Sequence, residues 1–353
     1  MENSAVFKKN VCTQAQLAEE LGVSQVTVFK SLSGHPKVSQ AVREKVLRLA
    51  QKRGYRVNTS ARAMRQKRFG AIALMQSIEL SRSVIFKQSL HAIQIATQKH
   101  QLHVLLGELP DEQLTSSGYV PKLLNEWMCD GLLLNYISGV PQQMIELIAR
   151  YHLPSVWMNF KQASNSIYPN DLAGARVATE HLLKLGHRRI AYADYIFRDL
   201  TSGAVHYSAV DRHAGYLAAM KAAGLQPRVI RLPQNVHRNE SAAFSAQWLK
   251  SEDRPTAVLT YNSDTVKPVV FGAMAIAGFK VPQDLSVITV DERVFTEFGF
   301  PLTTMVLPGY EMGAESVEML IECIASPGTQ LPAKPLDLRL ESGELCLPPI
   351  DSK

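Results

Sequence analysis

Apolar positions in residues 13–50 recur three and four apart, the period of amphipathic helices, in three short runs. Thr13-Gln14-Ala15-Gln16 has the spacing of a capping box, so a helix is expected to start there and turn Leu17, Ala18 and Leu21 inward. Gly22 is expected to end it in a left-handed cap. Ser24 then caps a second helix, about 25–32, with Val28 and Leu32 inside, and Ser39 caps a third carrying Val42, Val46, Leu49 and Ala50. Two short helices joined through a glycine turn predict a helix-turn-helix, with the third helix packed on the pair. From Gly70 the pattern changes. Short apolar runs at 71–75, 102–106, 131–134, 155–158, 189–193, 256–260 and 286–290 alternate with amphipathic stretches near 82–99, 141–150, 171–185, 210–223 and 264–277. This alternation predicts parallel sheets covered by helices on both faces, with any ligand at the carboxyl ends of the strands.

The length of 353 residues suits two or three domains, and 46% hydrophobic with 20% charged residues fits a chain with ample core. The net charge of +6 is unevenly spread. Residues 1–68 hold 14 Lys/Arg against four acids, a local +10 that leaves −4 for the rest. A basic head on a mildly acidic body points to a polyanionic partner, the plainer reading being a solvated basic face. Cys12, Cys129, Cys323 and Cys346 are scattered and lack metal-ligand spacing, so reduced thiols and no metal are expected. No signal-peptide run and no apolar stretch of about 18 residues is present, which predicts a cytoplasmic protein without a membrane partner.

A helix-turn-helix sends the start of its second helix into the DNA major groove. Gln25 and Val26 come first there: Gln suits adenine N6/N7 and Val offers methyl contact. Lys30, one turn on, reaches guanine or a phosphate, while Ser24, Thr27 and Ser39 suit phosphates that set register. Local packing of Val26 and a purely surface role for Thr27 stay open. A reader this short has limited affinity, so two heads on a symmetric homodimer are expected to share a pseudo-palindromic double-stranded operator.

The run Leu17-Ala18-x-x-Leu21-Gly22-Val23-Ser24-x-x-Thr27-Val28, then Leu32-Ser33-Gly34, Val38-Ser39, Arg43-Glu44-Lys45-Val46 and Gly54-Tyr55-Arg56 resembles the lactose/galactose-repressor (LacI/GalR) family. The likeness continues through Asp130-Gly131-Leu132-Leu133-Leu134, Leu185-Gly186-His187-Arg188-Arg189-Ile190-Ala191, Arg212-x-x-Gly215-Tyr216 and Pro301-Leu302-Thr303-Thr304, covering residues 11–348. It implies three parts: a DNA-binding head at 11–57, a hinge helix and linker at 58–69, and an effector-binding and dimerisation body at 70–348. That body resembles periplasmic sugar-binding proteins, with two α/β subdomains near 70–162 plus 294–325 and 163–293 plus 326–348. In the head it adds Thr13 and Tyr55 to the DNA contacts. In the hinge it adds Asn58, a good N-cap, Ala61, and Met64 as an apolar minor-groove wedge, the plainer reading there being an ordinary linker. Carried over position by position, the effector contacts are Ser77, Asn135, Asn159, Arg212, Ser263 and Asp291, a set suited to a sugar or sugar derivative. A structural salt bridge between Arg212 and Asp291 is the other reading of that pair. The chain departs from the family at Phe29 and Lys30, where Ser and Arg are usual, and at Asn159, Lys267, Thr289 and Glu292.

Other features read as structural. His187 is expected to cap or pack a turn entering a strand, Asp264 to N-cap a helix as readily as to bind ligand, and Trp127, Trp157 and Trp248 to sit mostly in core, with Trp157 near enough to the pocket to stack on a sugar. No nucleophile-plus-base set, Walker sequence, GxGxxG or HExxH is present, so neither an enzyme nor a cofactor is expected. The sequence predicts a transcription regulator, a repressor in the manner of the family it resembles, controlled by a small-molecule effector. A solute-binding protein without DNA function is the rival reading, and the basic head argues against it.

Overall fold

The computed structural model describes residues 12–56, 68–79, 82–109, 111, 122–126, 128–197 and 205–350. The chain divides into two compact units, residues 1–69 and 70–353.

The first unit contains α1 (Gln14–Leu21), α2 (Gln25–Leu32) and α3 (Gln40–Lys52). Thr13 closes the capping box with Gln16, and Gly22 ends α1 at φ 63°, the left-handed region that favours glycine. Ser24 caps α2 by accepting from the Thr27 backbone N–H at 3.1 Å. Ser39 precedes α3 but makes no side-chain cap bond. Leu17, Ala18, Val28, Val46 and Ala50 form a small core, with Leu21, Leu32, Val42, Leu49 and Tyr55 packed around it.

The second unit holds two six-stranded sheets. In the first lobe the order is β2 (His103–Leu109), β1 (Ala71–Ser77), β3 (Gly131–Asn135), β4 (Ser155–Met158), β5 (Ser166–Pro169) and β11 (Lys334–Leu336), all parallel. In the second it is β7 (Arg228–Arg231), β6 (Ile190–Asp194), β8 (Ala257–Thr260), β9 (Ser286–Asp291), β10 (Thr303–Val306) and β12 (Arg339–Glu341), of which β12 alone runs antiparallel. Helices α4 (Lys87–Lys99) and α10 (Gly309–Ala325) cover one face of the first sheet and α5 (Gln142–Arg150) the other. On the second sheet α6 (Asp171–Lys184) and α7 (Tyr207–Ala222) face α8 (Ser241–Leu249) and α9 (Ser263–Phe271) across the strands.

In each lobe a helix pair packs through a glycine. A Cβ at Gly313 of α10 would lie 2.3 Å from the Ser89 carbonyl oxygen of α4, and one at Gly215 of α7 2.2 Å from that of Leu172 in α6. Any side chain there would force the helices apart.

Strand pairing moves the lobe boundaries from those expected. Residues 166–169 and 334–336 hydrogen-bond into the first sheet, and 303–306 into the second. The chain therefore crosses between lobes near 170, 307 and 337, so 163–169 and 326–336 change to the first lobe and 294–306 to the second. The expected helix at 264–277 also differs: α9 ends at Phe271, five residues of π-helix come next at Gly272–Ile276, and Pro268 stands inside α9 without a backbone N–H to give. Among the described residues no helix is long and apolar enough to cross a membrane, and no cluster of His, Cys, Asp or Glu could hold a metal ion.

Candidate functional site

On the head, α2 turns an unusual surface outward. Val26 is 59% exposed and Phe29 42%, beside exposed Gln25 and half-exposed Lys30. Apolar side chains at the start of such a helix gain by burial against thymine methyls or sugars. The Ser24 and Thr27 hydroxyls lie 2.8 Å apart, so one side chain orients the other. Tyr55 is half-buried and its hydroxyl accepts from Gln14 Nε2 at 2.9 Å, which ties the end of the head to α1. Thr13 is exposed and engaged in its capping box. Asn58, Ala61 and Met64 lie outside the described residues.

In the body, a cleft of about 1060 Å³ opens between the lobes at the carboxyl ends of the strands. Asn159, Arg212, Ser263 and Asp291 line it. Asn159 directly follows β4 at φ 54°, in the left-handed region that Asn tolerates better than most residues. Asp291 ends β9, and its carboxylate accepts from the Glu292 backbone N–H at 2.7 Å. Ser263 opens α9, whose N-cap is Asn262 rather than Asp264: Asn262 Oδ1 accepts from the Thr265 N–H at 3.1 Å. Asp264 also lines the cleft, close to the positive end of that helix.

Arg212 projects from α7 at 6% exposure, and its partner is Asp171 rather than Asp291. Its Nε donates to Asp171 Oδ1 at 2.6 Å, its Nη1 to the Tyr261 carbonyl at 2.6 Å, and its guanidinium lies 4.6 Å above the Tyr261 ring. Burial opposes the Arg212 charge, but Asp171, with Tyr261 and Tyr192, more than offsets it and the pKa is raised. The guanidinium is thus a fixed cation with its plane set before any ligand arrives.

Two expected contacts are not in the cleft. Ser77 is buried, donating to Asp111 Oδ2 at 2.5 Å and accepting from the Glu79 N–H at 3.0 Å. Asn135 is buried as well, and its Nδ2 has no hydrogen-bond partner among the described residues. The cause is Ser83, which straps the two strand ends together. Its hydroxyl accepts from the Ser77 N–H at 2.7 Å and donates to the Asn135 carbonyl at 2.6 Å. Residues 82–86 are thereby folded over both ends. Arg82, Val84, Ile85, Phe86, Leu90 and Ile137 form that wall instead, a largely apolar surface facing the polar second lobe.

His187 bridges Thr256 Oγ1 and the Leu347 carbonyl, both at 2.9 Å, and burial lowers its pKa. Trp157 packs on Phe160 in the first lobe's core and does not line the cleft; Trp248 is buried, its Nε1 donating to the Tyr195 hydroxyl at 2.9 Å, and Trp127 lies outside the described residues. Asp171, His206, Tyr261 and Arg238 were not anticipated. Asp171 is the one with a local signal, standing directly after the helix cap Asn170 and 41 residues from the arginine it holds.

A helix-turn-helix head on a two-lobed body with a ligand-sized cleft is the architecture of ligand-responsive DNA-binding regulators. Residues 179–341 match the family model described as a periplasmic binding protein-like domain. The HTH-type transcriptional repressor PurR of Photobacterium profundum is 27% identical over 318 residues, 88% of this chain and 92% of that protein. The ribose operon repressor of Escherichia coli (strain K12) is 28% identical over 326 residues, 91% of this chain and 95% of that protein. Among solved structures, the lac repressor dimer bound to operator and the anti-inducer ONPF superposes with a TM-score of 0.74 at 23% identity, covering 96% of this chain and 100% of that one. The transcriptional regulator CelR–cellobiose complex gives 0.63 at 22%, covering 95% and 100%. Along about nine-tenths of its length the chain is thus similar to transcriptional repressors of the lactose/galactose-repressor type.

Proposed function

We propose that this protein is a sequence-specific DNA-binding repressor whose operator affinity is set by a small carbohydrate-like effector bound between the lobes. The observation that carries it is the convergence of Asn159 from one lobe with Arg212, Ser263 and Asp291 from the other, on a chain that also bears a helix-turn-helix. A carboxylate, an amide and an oriented guanidinium suit vicinal hydroxyls, and the cellobiose held by one solved relative supports that class.

Two copies are needed for a pseudo-palindromic operator, Gln25, Val26 and Lys30 meeting base edges while Ser24, Thr27, Ser39, Thr13 and Tyr55 meet the backbone. Asn58, Ala61 and Met64 are assigned to the minor groove on the family resemblance. An effector that binds one lobe spacing better than another biases the body, and with it operator affinity. A coupling of about 1–3 kcal/mol changes that affinity roughly 5–150-fold. Binding and switching suffice for this role, so no catalytic step is assigned, and a cytoplasmic location follows from the DNA partner.

The test is an operator selected from random duplexes by the full-length protein, then titrated with and without a panel of sugars. Sequence-selective binding that at least one sugar changes is the expected result. Retention of every duplex alike at physiological salt sinks the proposal.

A further inference from the structure

A chain of polar groups runs across the cleft from one lobe to the other. His206 precedes α7 and is 7% exposed. Its Nε2 lies 2.9 Å from the backbone oxygen of Asn159, on the first lobe. Its Nδ1 lies 2.7 Å from Ser208 Oγ, which is 2.8 Å from the Tyr261 hydroxyl. A carbonyl oxygen only accepts, so Nε2 must carry the ring proton. Burial holds the pKa of the ring below its ordinary 6.5, against weaker raising effects of the Asn159 bond, Asp171 and Asp211, with Arg212 lowering it further. In the neutral ring Nδ1 then accepts from Ser208. Ser208 has one proton, already given, so Tyr261 donates to Ser208.

The direction of every bond is then fixed: Tyr261 to Ser208 to His206 to Asn159. Both ends are cleft residues. The Tyr261 carbonyl and ring hold Arg212, and the Asn159 backbone holds a left-handed φ of 54°.

We propose that His206 is the positioning residue of this cleft, holding Asn159 of the first lobe in register with Arg212 of the second. The proposal rests on the reading of the cleft as the effector site. In this lobe arrangement a ligand that touches both walls meets them already positioned, so the ordering cost is met by the protein beforehand. Glutamine can imitate the ring, its amide N–H₂ donating to Asn159 and its carbonyl accepting from Ser208, whereas leucine fills space and does neither.

The first experiment is NMR of the full-length protein carrying isotope-labelled histidine, with H206Q used for assignment. A ring protonated on Nε2 and still neutral at pH 6.5, where an ordinary imidazole is half protonated, is expected. A ring protonated on Nδ1, or one titrating near 6.5, overturns the chain of bonds. The second is calorimetry of wild type, H206Q and H206L with D-ribose, D-glucose and cellobiose. For a sugar that wild type binds, H206L should lose roughly 10- to 100-fold in affinity and H206Q less than about 3-fold, while unliganded H206L still melts cooperatively. Equal affinity of H206L and wild type overturns the positioning role. If wild type binds none of these sugars, the effector reading and the positioning role fall together, and the hydrogen-bond chain stands or falls by the ring's tautomer alone.

Discussion

In the first lobe, the strand ends at Ser77 and Asn135 are closed over: Ser83 ties them together, Asp111 takes the Ser77 hydroxyl, and apolar side chains face the cleft in their place. In the second lobe, Asp291 at the end of β9 stays open to the cleft, as does Ser263 just beyond β8. The two sheets share strand order and differ in the loops that leave the strands. Topology thus delivers strand ends to a cleft, but the loop beyond each strand decides whether a polar group there meets ligand or its own lobe.

The largest expected effect is at Arg212. Arg212→Ala leaves Asp171 buried without its cation, so urea melts should show a loss of about 3–5 kcal/mol in addition to lost sugar binding. A melt unchanged within error would mean that the pair does not organise the second lobe.

Next comes a crossed pair of variants. Asp291→Asn should weaken sugar binding roughly 10- to 100-fold by calorimetry with little change in melting, because its carboxylate is open to the cleft. Ser77→Ala should do the reverse, costing about 1–3 kcal/mol by leaving Asp111 and the Glu79 N–H short of a partner while sugar affinity holds. The opposite pattern would erase the contrast between the lobes.

Acid should act through the buried imidazoles. Burial lowers the pKa of His206 and of His187 below 6.5, so the native rings stay neutral where the unfolded ones protonate. Their stabilising share is whole above the unfolded value and is lost as pH falls from there toward the depressed native values, at about 1.4 kcal/mol per pH unit per ring at most. Asp194 opposes this: burial raises its pKa, so the native state takes up a proton first and gains as pH falls toward 3.8. Thermal melts from about pH 8 to about 5.5 should therefore show H206Q losing less stability than wild type. Parallel curves would exclude His206 as a source of the slope.

The smallest effect is on the head, where each contact is local. Ser24→Ala removes the cap of α2 and should cost about 1 kcal/mol of head stability. No change in the head's melting would assign Ser24 to the DNA rather than to the fold.

The elements of the head were legible because each has its stop and start signals within a few residues: Thr13 with Gln16, Gly22, Ser24. In the body the buried central strands were legible as apolar runs. β5, β7, β10, β11 and β12, of three or four residues each, were not, because polar or charged residues and prolines break them where the equally short β4 and β8 stay mainly apolar. Helix α10 was also missed, though it is 17 residues long and covers the first sheet. The sequence placed four of six expected effector contacts where the cleft is. It misplaced Ser77 and Asn135 because a strap made by Ser83 leaves no trace in the spacing of strands.

From sequence alone came the division into a basic helical head and an α/β body, and the ends of the head's helices, since caps, turns and periodic burial act over a handful of neighbours. Tertiary structure decided which carboxylate holds Arg212, where the chain crosses between lobes, and how His206 joins them. Those outcomes depend on groups 41, 47 and more than 160 residues apart meeting at hydrogen-bond distance. Such meetings are set by sheet order and packing, and a short stretch of chain carries no record of them.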